Sequence, residues 1–363
     1  MKELKDIIIA YDKAVLQHKQ TALATVVQVE GSSYRRPGAR MLITAEGEIT
    51  GAISGGCLEG DALRKAQRAM QLQQNKLLIY DTIHEEDQSL GIQLGCNGIV
   101  YILIEPILSE DPNNPVQLLK KVARDRMEAV LVTLFNPDKN AVQTGTCLLV
   151  QEDEFPGRPD ESLNKELTQV LQQKETLVKI YPDQSILFQF VPPSMHLVIV
   201  GAGNDAQPLM EMAFLLGWKI TVVDGRPAYA TMQRFSKANQ VCVSKAANLL
   251  SSIAIDSQTA VVLMTHNYNY DVAALEQLIG SACTYIGLLG PKKKHEKMLD
   301  EWASRGLVIE PELLRKLHGP VGLDIGAETA EEIALSIVAE IKAVFSDRRG
   351  TSLKNRPIEI HER

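Results

Sequence analysis

Val198-Ile199-Val200-Gly201-Ala202-Gly203-Asn204-Asp205-Ala206 decides the fold of the second half of this chain. His196 to Val200 is an unbroken apolar-type run of strand length, and Asp205 to Leu216 has the spacing of a helix. A GxGxxA turn joins them. Gly201 permits the tight turn, Gly203 lets backbone approach a pyrophosphate, and Ala206 is small enough for the helix to pack on the sheet. Amides at the helix N-terminus then hold phosphate oxygens. Asp224 follows Gly203 by 21 residues and closes the next strand, Trp218 to Val223. An acid there binds a ribose diol.

Working outward, Val241–Val243, Ala260–Met264 and Thr284–Leu288 read as further strands, each followed by a helical stretch. Repeated β–α alternation predicts a parallel sheet with right-handed crossovers. Thr329-Ala330-Glu331-Glu332 is a capping box opening an amphipathic helix to Phe345. Pro192-Pro193 marks the upstream boundary. Before it, strands near 22–29, 40–44, 77–80, 99–105, 129–134, 146–150, 177–181 and 186–191 are mixed with helices near 4–19, 58–74, 116–126 and 162–173. The expected organisation is therefore an N-terminal mixed α/β domain over 1–192 and a Rossmann-like doubly wound parallel sheet over 193–345. A polar tail follows over 346–363.

The composition is that of a globular protein, with 45% hydrophobic and 23% charged residues in 363. No run is long and apolar enough for a transmembrane helix. The 38 lysines and arginines against 45 acids give −7, which offers no general grip on nucleic acid or an anionic membrane. The first twenty residues lack the apolar core of a secretory signal. Five cysteines without a CxxC pair read as reduced thiols in the cytoplasm.

Several other stretches carry candidate chemistry. Gly31-Ser32-Ser33-Tyr34-Arg35-Arg36-Pro37-Gly38 concentrates hydroxyls and guanidiniums, and the forks of Arg35 and Arg36 suit phosphate or carboxylate. Ser54-Gly55-Gly56-Cys57-Leu58-Glu59 puts a thiol at a glycine turn entering a helix, where unpaired amides and the helix dipole favour thiolate. Gly95-Cys96-Asn97-Gly98 places a second cysteine in a turn within the long loop Asp81–Gly98, which also holds His84. Cys147, Cys242 and Cys283 fall in strand-like runs and are expected in the core. Lys292-Lys293-Lys294 heads a helix after a strand, which makes Lys292 a candidate anion contact. His266 follows the strand ending at Met264, without an evident partner. His318 to Gly326, with Asp324, forms a glycine-rich turn before the capped helix. No paired Cys/His spacing supports a closed zinc site.

In this order, these motifs make the chain similar to the XdhC/CoxI family, the xanthine dehydrogenase accessory proteins. The likeness rests on 31–38, Met41, 54–59, 95–98, 200–203, Thr265-His266, Tyr285-Ile286-Gly287 and 320–327. It implies binding of the molybdenum cofactor, as molybdopterin or its dinucleotide form. It also implies protection of that cofactor during sulfuration and its delivery to an apo molybdenum hydroxylase. A cysteine desulfurase is a second implied partner, and a homo-oligomer, as a dimer, is expected. Cys57 and Cys96 are then the implied soft ligands near molybdenum. Asn267-Tyr268 stands where the family often has Asp-His, and Pro291 with Lys292–Lys294 where serine and arginines are common. The glycine turn and Asp224 alone support a different function, an NAD(P)-dependent oxidoreductase. A third reading is a regulatory nucleotide-sensing module. An NAD(P) enzyme needs an acid–base pair beside the nicotinamide, and the sequence offers only His266. The chain is therefore read as an accessory protein rather than an enzyme that turns over substrate.

Overall fold

The computed structural model describes residues 2–81, 98–151, 161–181, 184–306 and 310–355. The chain forms two compact units, Met1–Pro193 and Ser194–Arg363. The first runs α1 (Lys2–Leu16), β1 (Thr21–Gly31), β2 (Arg40–Thr44), β3 (Ile49–Gly51), α2 (Glu59–Leu72), β4 (Lys76–Asp81) and β5 (Gly98–Ile107). It continues through α3 (Pro115–Asp125), β6 (Ala129–Phe135), β7 (Gly145–Gln151), α4 (Glu161–Gln173), β8 (Leu177–Ile180) and β9 (Ser185–Val191).

Two antiparallel sheets organise this unit, with orders β3-β2-β1-β5-β4 and β7-β6-β9-β8. Alternation along β1 explains the layering. Ala22, Ala24 and Val26 face α2, whose Ala62, Ala66, Ala69 and Met70 bury against them. Leu23 and Val27 face the other way, towards α1, α3 and residues of the second sheet such as Leu131 and Leu187. α4 covers the far side of the second sheet through Leu167 and Val170. Asn114 caps α3 by accepting from the amides of Val116 and Gln117, and Pro115 opens the helix. β3 stops at Gly51, whose φ of +88° ends the extended run. A Cβ at Gly51 would lie 2.4 Å from the Arg40 carbonyl. His84 and Cys96 lie outside the described residues, as does most of the long loop that holds them.

The second unit runs β10 (His196–Val200), α5 (Ala206–Leu215), β11 (Lys219–Asp224), β12 (Gln240–Val243), α6 (Leu249–Ser252), β13 (Thr259–Leu263) and α7 (Tyr268–Leu278). β14 (Tyr285–Leu288), α8 (Lys292–Ser304), α9 (Pro311–Leu314), β15 (Leu317–His318) and α10 (Ala330–Val344) complete it. Its six strands are ordered β12-β11-β10-β13-β14-β15, and every pairing is parallel. Numbered within the sheet this is 3-2-1-4-5-6, the doubly wound order of a Rossmann fold. Leu197 and Ile199 pack on α5 and α10, whereas Val198 and Val200 pack on the α7 and α8 side. That two-sided burial is why the strands read as continuous apolar runs. Thr329 and Glu332 form the capping box of α10. Of the polar tail, residues 346–355 are described, with a 3₁₀ turn at Leu353–Asn355.

Candidate cofactor-binding site

In the parallel sheet the strand order reverses between β10 and β13, and ligands of such sheets bind outside the carboxyl ends at that point. The glycine turn follows β10, and Thr265-His266 follows β13. The two loops meet there. Gly201 has φ +120°, and a Cβ on it would lie 2.5 Å from the Met264 carbonyl oxygen and 2.8 Å from the Thr265 nitrogen. Glycine is thus required by conformation and by space. His266, itself at φ +56°, places Nε2 2.7 Å from Asp205 Oδ2. The partner that sequence reasoning did not find for His266 is therefore the residue at the N-cap of α5.

Asp224 closes β11, 3% exposed. Its Oδ2 accepts from the Ala202 amide at 2.7 Å and from Arg226 Nη2 at 2.8 Å. Its Oδ1 accepts from the Arg226 amide at 2.8 Å and Nε at 2.9 Å. Burial raises the carboxyl pKa, but the Arg226 side chain, the two amides and the Arg226 charge outweigh it and hold the group below its usual range. The expected ribose acid is here an internal anchor for the glycine turn. Arg234 donates from Nη1 to the Ala202 carbonyl at 2.7 Å and from Nη2 to Asn204 Oδ1 at 2.8 Å. Its guanidinium lies 5.1 Å from the Tyr229 ring, and that of Arg226 lies 4.0 Å from it.

Sequence reasoning missed both arginines. Arg226 stood two residues beyond the acid, where an arginine beside a nucleotide ribose belongs, and was legible there. Arg234 had no local signal. The amides of α5 receive no side-chain bond from Asp205, so its N-terminus and two guanidiniums suit an anionic, nucleotide-like group. One contact runs against it. The Asp205 carboxylate folds over Gly203, where a Cβ would meet its Oδ1 at 2.3 Å.

The lysines and the later loop behave differently. Lys294 is drawn inward, its Nζ 2.7 Å from the fully buried Asp271 and 3.0 Å from the Leu289 carbonyl. Asp271 also accepts from Thr265 Oγ1 at 2.6 Å. This ties β13, α7 and α8 together and leaves Lys294 no anion role. Lys292 stays exposed, 3.7 Å from Glu296 one helical turn on. Asp324 is exposed in a loop that α10 holds through Glu340, which accepts from the Gly322 amide, and through Ser336, which donates to the Leu323 carbonyl. Among the described residues no contact joins Lys292 or Asp324 to the glycine turn.

The first unit gathers a second candidate set. Gly31 and Gly98 stand opposite each other where β1 meets β5. A Cβ on Gly98 would lie 2.5 Å from the carbonyls of Glu30 and Ser32. The Tyr34 ring lies over Gly55, whose Cβ would meet it at 3.6 Å. So the 31–38 loop, the 54–59 turn and the start of β5 converge. Cys57 is half-buried in this turn, but the amides around it are not unpaired. Ser54 Oγ accepts from the amides of Gly56, Cys57 and Leu58 at 3.1–3.2 Å. Glu59 accepts from the amides of Ile53, Ser54 and Leu58 and from the Ser54 hydroxyl. The expectation that the amides of this turn are unpaired is corrected for Ile53, Ser54, Gly56, Cys57 and Leu58, whose N–H groups donate to the Ser54 hydroxyl and the Glu59 carboxylate. Burial raises the Glu59 carboxyl pKa, yet those bonds hold it below the usual range. Arg35 pairs with Glu3 of α1, and Arg36 is exposed. Cys147, expected in the core, is exposed on the edge strand β7, whereas Cys283 is buried. Among the described residues no group of three or more His, Cys, Asp or Glu side chains could hold a metal ion. None of their helices is long and apolar enough to cross a membrane.

Comparison with known proteins adds the lineage. Residues 197–341 match the XdhC Rossmann domain, and residues 14–81 match the XdhC and CoxI family. A probable xanthine dehydrogenase subunit of Bacillus subtilis (strain 168) is 31% identical over 332 residues, 91% of this chain and 94% of that protein. The molybdenum cofactor insertion chaperone PaoD of Escherichia coli (strain K12) is 24% identical over 332 residues, 92% of this chain and 86% of its own. Among solved structures, a xanthine dehydrogenase from Bacillus halodurans superposes with a TM-score of 0.73 at 29% identity. The match covers 97% of this chain and 98% of that one.

Proposed function

The chain belongs to the XdhC and CoxI family, and on that premise we propose that it is a maturation factor for a molybdenum hydroxylase of the xanthine dehydrogenase type. It binds the molybdenum cofactor, shields it during sulfuration and delivers it to the apo-hydroxylase. A cysteine desulfurase supplies the sulfur. Support for a maturation role comes from the relative that is a molybdenum cofactor insertion chaperone.

The observation that carries the reading is the glycine turn at the sheet's switch point, flanked by Arg226 and Arg234 at a helix N-terminus that Asp205 leaves uncapped. Phosphate oxygens fit amides and guanidiniums in that arrangement. Asp224 holds Arg226 in place, and Arg234 holds the carbonyl of Ala202. Asp205 must swing from Gly203 as the phosphate enters, and His266, whose Nε2 lies 2.7 Å from its Oδ2, is positioned to hold the displaced side chain. In the first unit, Cys57 offers a thiol at the converged loops, and Cys96 is proposed as its companion. When bound, the cofactor supplies the molybdenum–sulfur centre that the hydroxylase uses.

The test is co-expression with a molybdenum hydroxylase, followed by metal and pterin analysis of the purified chain. The chain is expected to retain pterin and molybdenum, and an Arg226→Ala, Arg234→Ala double variant to lose most of both. A chain free of pterin, with hydroxylase activity indifferent to its presence, overturns the proposal.

A second reading, an NAD(P)-dependent oxidoreductase, gains from one observation. The Asp205–His266 pair is an acid–base pair that the sequence did not reveal. Steady oxidation of NADH or NADPH coupled to a small carbonyl compound would favour it.

A further inference from the structure

A dinucleotide at the carboxyl edge of a Rossmann sheet is recognised twice. Backbone at the second glycine approaches its pyrophosphate, and a carboxylate closing the next strand accepts from its ribose hydroxyls. In this chain both places are taken by the protein itself. The Asp205 Oδ1 lies over Gly203, 2.3 Å from where a Cβ would stand. Asp224 is filled more completely. A carboxylate has about four lone-pair sites. Those of Asp224 meet the Ala202 amide, the Arg226 amide, and Nε and Nη2 of Arg226. The group is buried as well. A ribose diol finds no acceptor there unless it breaks the bond that anchors the glycine turn or the bidentate pair with Arg226.

What stays open beside the turn is cationic. Arg234 donates to the carbonyls of Ala202 and Tyr229 and to Asn204 Oδ1. All three acceptors are neutral, so the side chain is fixed in place while its charge is unmet. Among the described residues no carboxylate pairs with it, and the neighbouring Asp205 is turned to His266. Arg226 is half-exposed, and among the described residues its Nη1 makes no hydrogen bond once Nε and Nη2 are spent on Asp224. The two guanidiniums lie 4.0 and 5.1 Å from the centre of one exposed ring, that of Tyr229. They therefore form one patch, which the negative face of the ring helps to hold. A phosphate monoester carries about −1.5 to −2 at pH 7 and three acceptor oxygens. A ribose diol carries no charge. The patch suits the first.

We infer that this site selects a ligand that ends in a phosphate monoester, read by Arg226 Nη1 and Arg234, over one whose phosphates continue into a ribose diol. The inference rests on the anion-binding role proposed for the glycine turn. For the cofactor it means molybdopterin rather than the dinucleotide form. A nucleotide with a phosphate on its ribose carries the same chemistry.

Titration of the full chain, made in a host without molybdopterin synthesis, decides the matter. NADP+ and NAD+ are the probes, since they differ only by a 2′-phosphate in place of one hydroxyl of the diol. NADP+ is expected to bind about tenfold or more tightly, the worth of one charged contact. Arg234→Met should bring NADP+ down towards NAD+. Arg234→Gln, which keeps a donor for the turn without the charge, serves if Arg234→Met does not fold. NAD+ binding as tightly as NADP+, no saturable binding of NADP+, or a preference untouched by either variant overturns the inference. Co-expression with a molybdenum hydroxylase then separates the sources. Pterin retained with nucleotide on less than half of it places the monoester on the cofactor, and nucleotide on half or more of it overturns the inference. Retained pterin without the NADP+ preference leaves the cofactor role standing and this inference fallen. The NADP+ preference in a chain that retains no pterin does the reverse.

Discussion

Two arginines, one in each unit, present the same guanidinium edge and treat it in opposite ways. Arg226, half-exposed beside the glycine turn, spends Nε and Nη2 on the buried carboxylate of Asp224. Arg40, buried between the sheets of the first unit, has that edge unpartnered. A carboxylate that takes four internal donors is a structural part, and it shapes the turn whether or not a ligand arrives. Arg40 uses only Nη1, which donates to the Gly38 carbonyl and ties the start of β2 to the loop before it, while its paired edge stays empty.

The largest effect should come from breaking the turn that Asp224 anchors. Gly201→Val sets a branched side chain against the Met264 carbonyl at a φ that L residues rarely adopt. The combined strain and clash are on the order of 3–5 kcal/mol. The second unit should lose its cooperative urea transition or become insoluble. A variant that melts like the wild type would show that the close approach of the two loops is unnecessary.

Asp224→Asn should cost less, about 1–3 kcal/mol, because it removes the charge and replaces one of the two accepting oxygens by an amide nitrogen that cannot accept. The pH dependence has a definite sign. The folded carboxyl pKa lies below that of an unfolded aspartate, about 3.9, so its stabilisation is complete above that value and is lost as pH falls through the folded pKa. The difference in urea midpoint between wild type and variant should therefore be full at pH 7 and shrink towards pH 3. A difference that grew on acidification would mean Asp224 is not ion-paired.

Cys57→Ser should move stability least, within about 0.5 kcal/mol, since Ser54 and Glu59 rather than the thiol hold the turn. Its informative readout is bound molybdenum on the same preparation. Reduced metal at an unchanged melting temperature supports a ligand or positioning role. Normal metal with a lowered melting temperature would show that Cys57 only packs.

The two units also differ in how much of each could be read in advance. The second was legible because parallel strands buried on both faces make unbroken apolar runs, and because a GxGxxA turn constrains three positions within six residues. Gly201 and Asp224 were found that way. The antiparallel pairing of the first unit was not legible, since register between strands far apart in sequence leaves no local mark. His266 was singled out without its partner for the same reason: Asp205 is 61 residues away.

By itself, then, the sequence determined the alternation of strands and helices, the turn that starts the parallel sheet and the capped helix that ends it. Each of these is fixed by interactions within a few residues of one another. Only the tertiary structure decided the fate of the charges. It gave Asp224 to Arg226 and Lys294 to Asp271, it filled the amides around Cys57 with Ser54 and Glu59, and it left Arg40 without a carboxylate. Local patterning reports whether a segment is buried. Whether a buried charge finds a partner depends on which strands lie side by side, and that is a property of the packed whole.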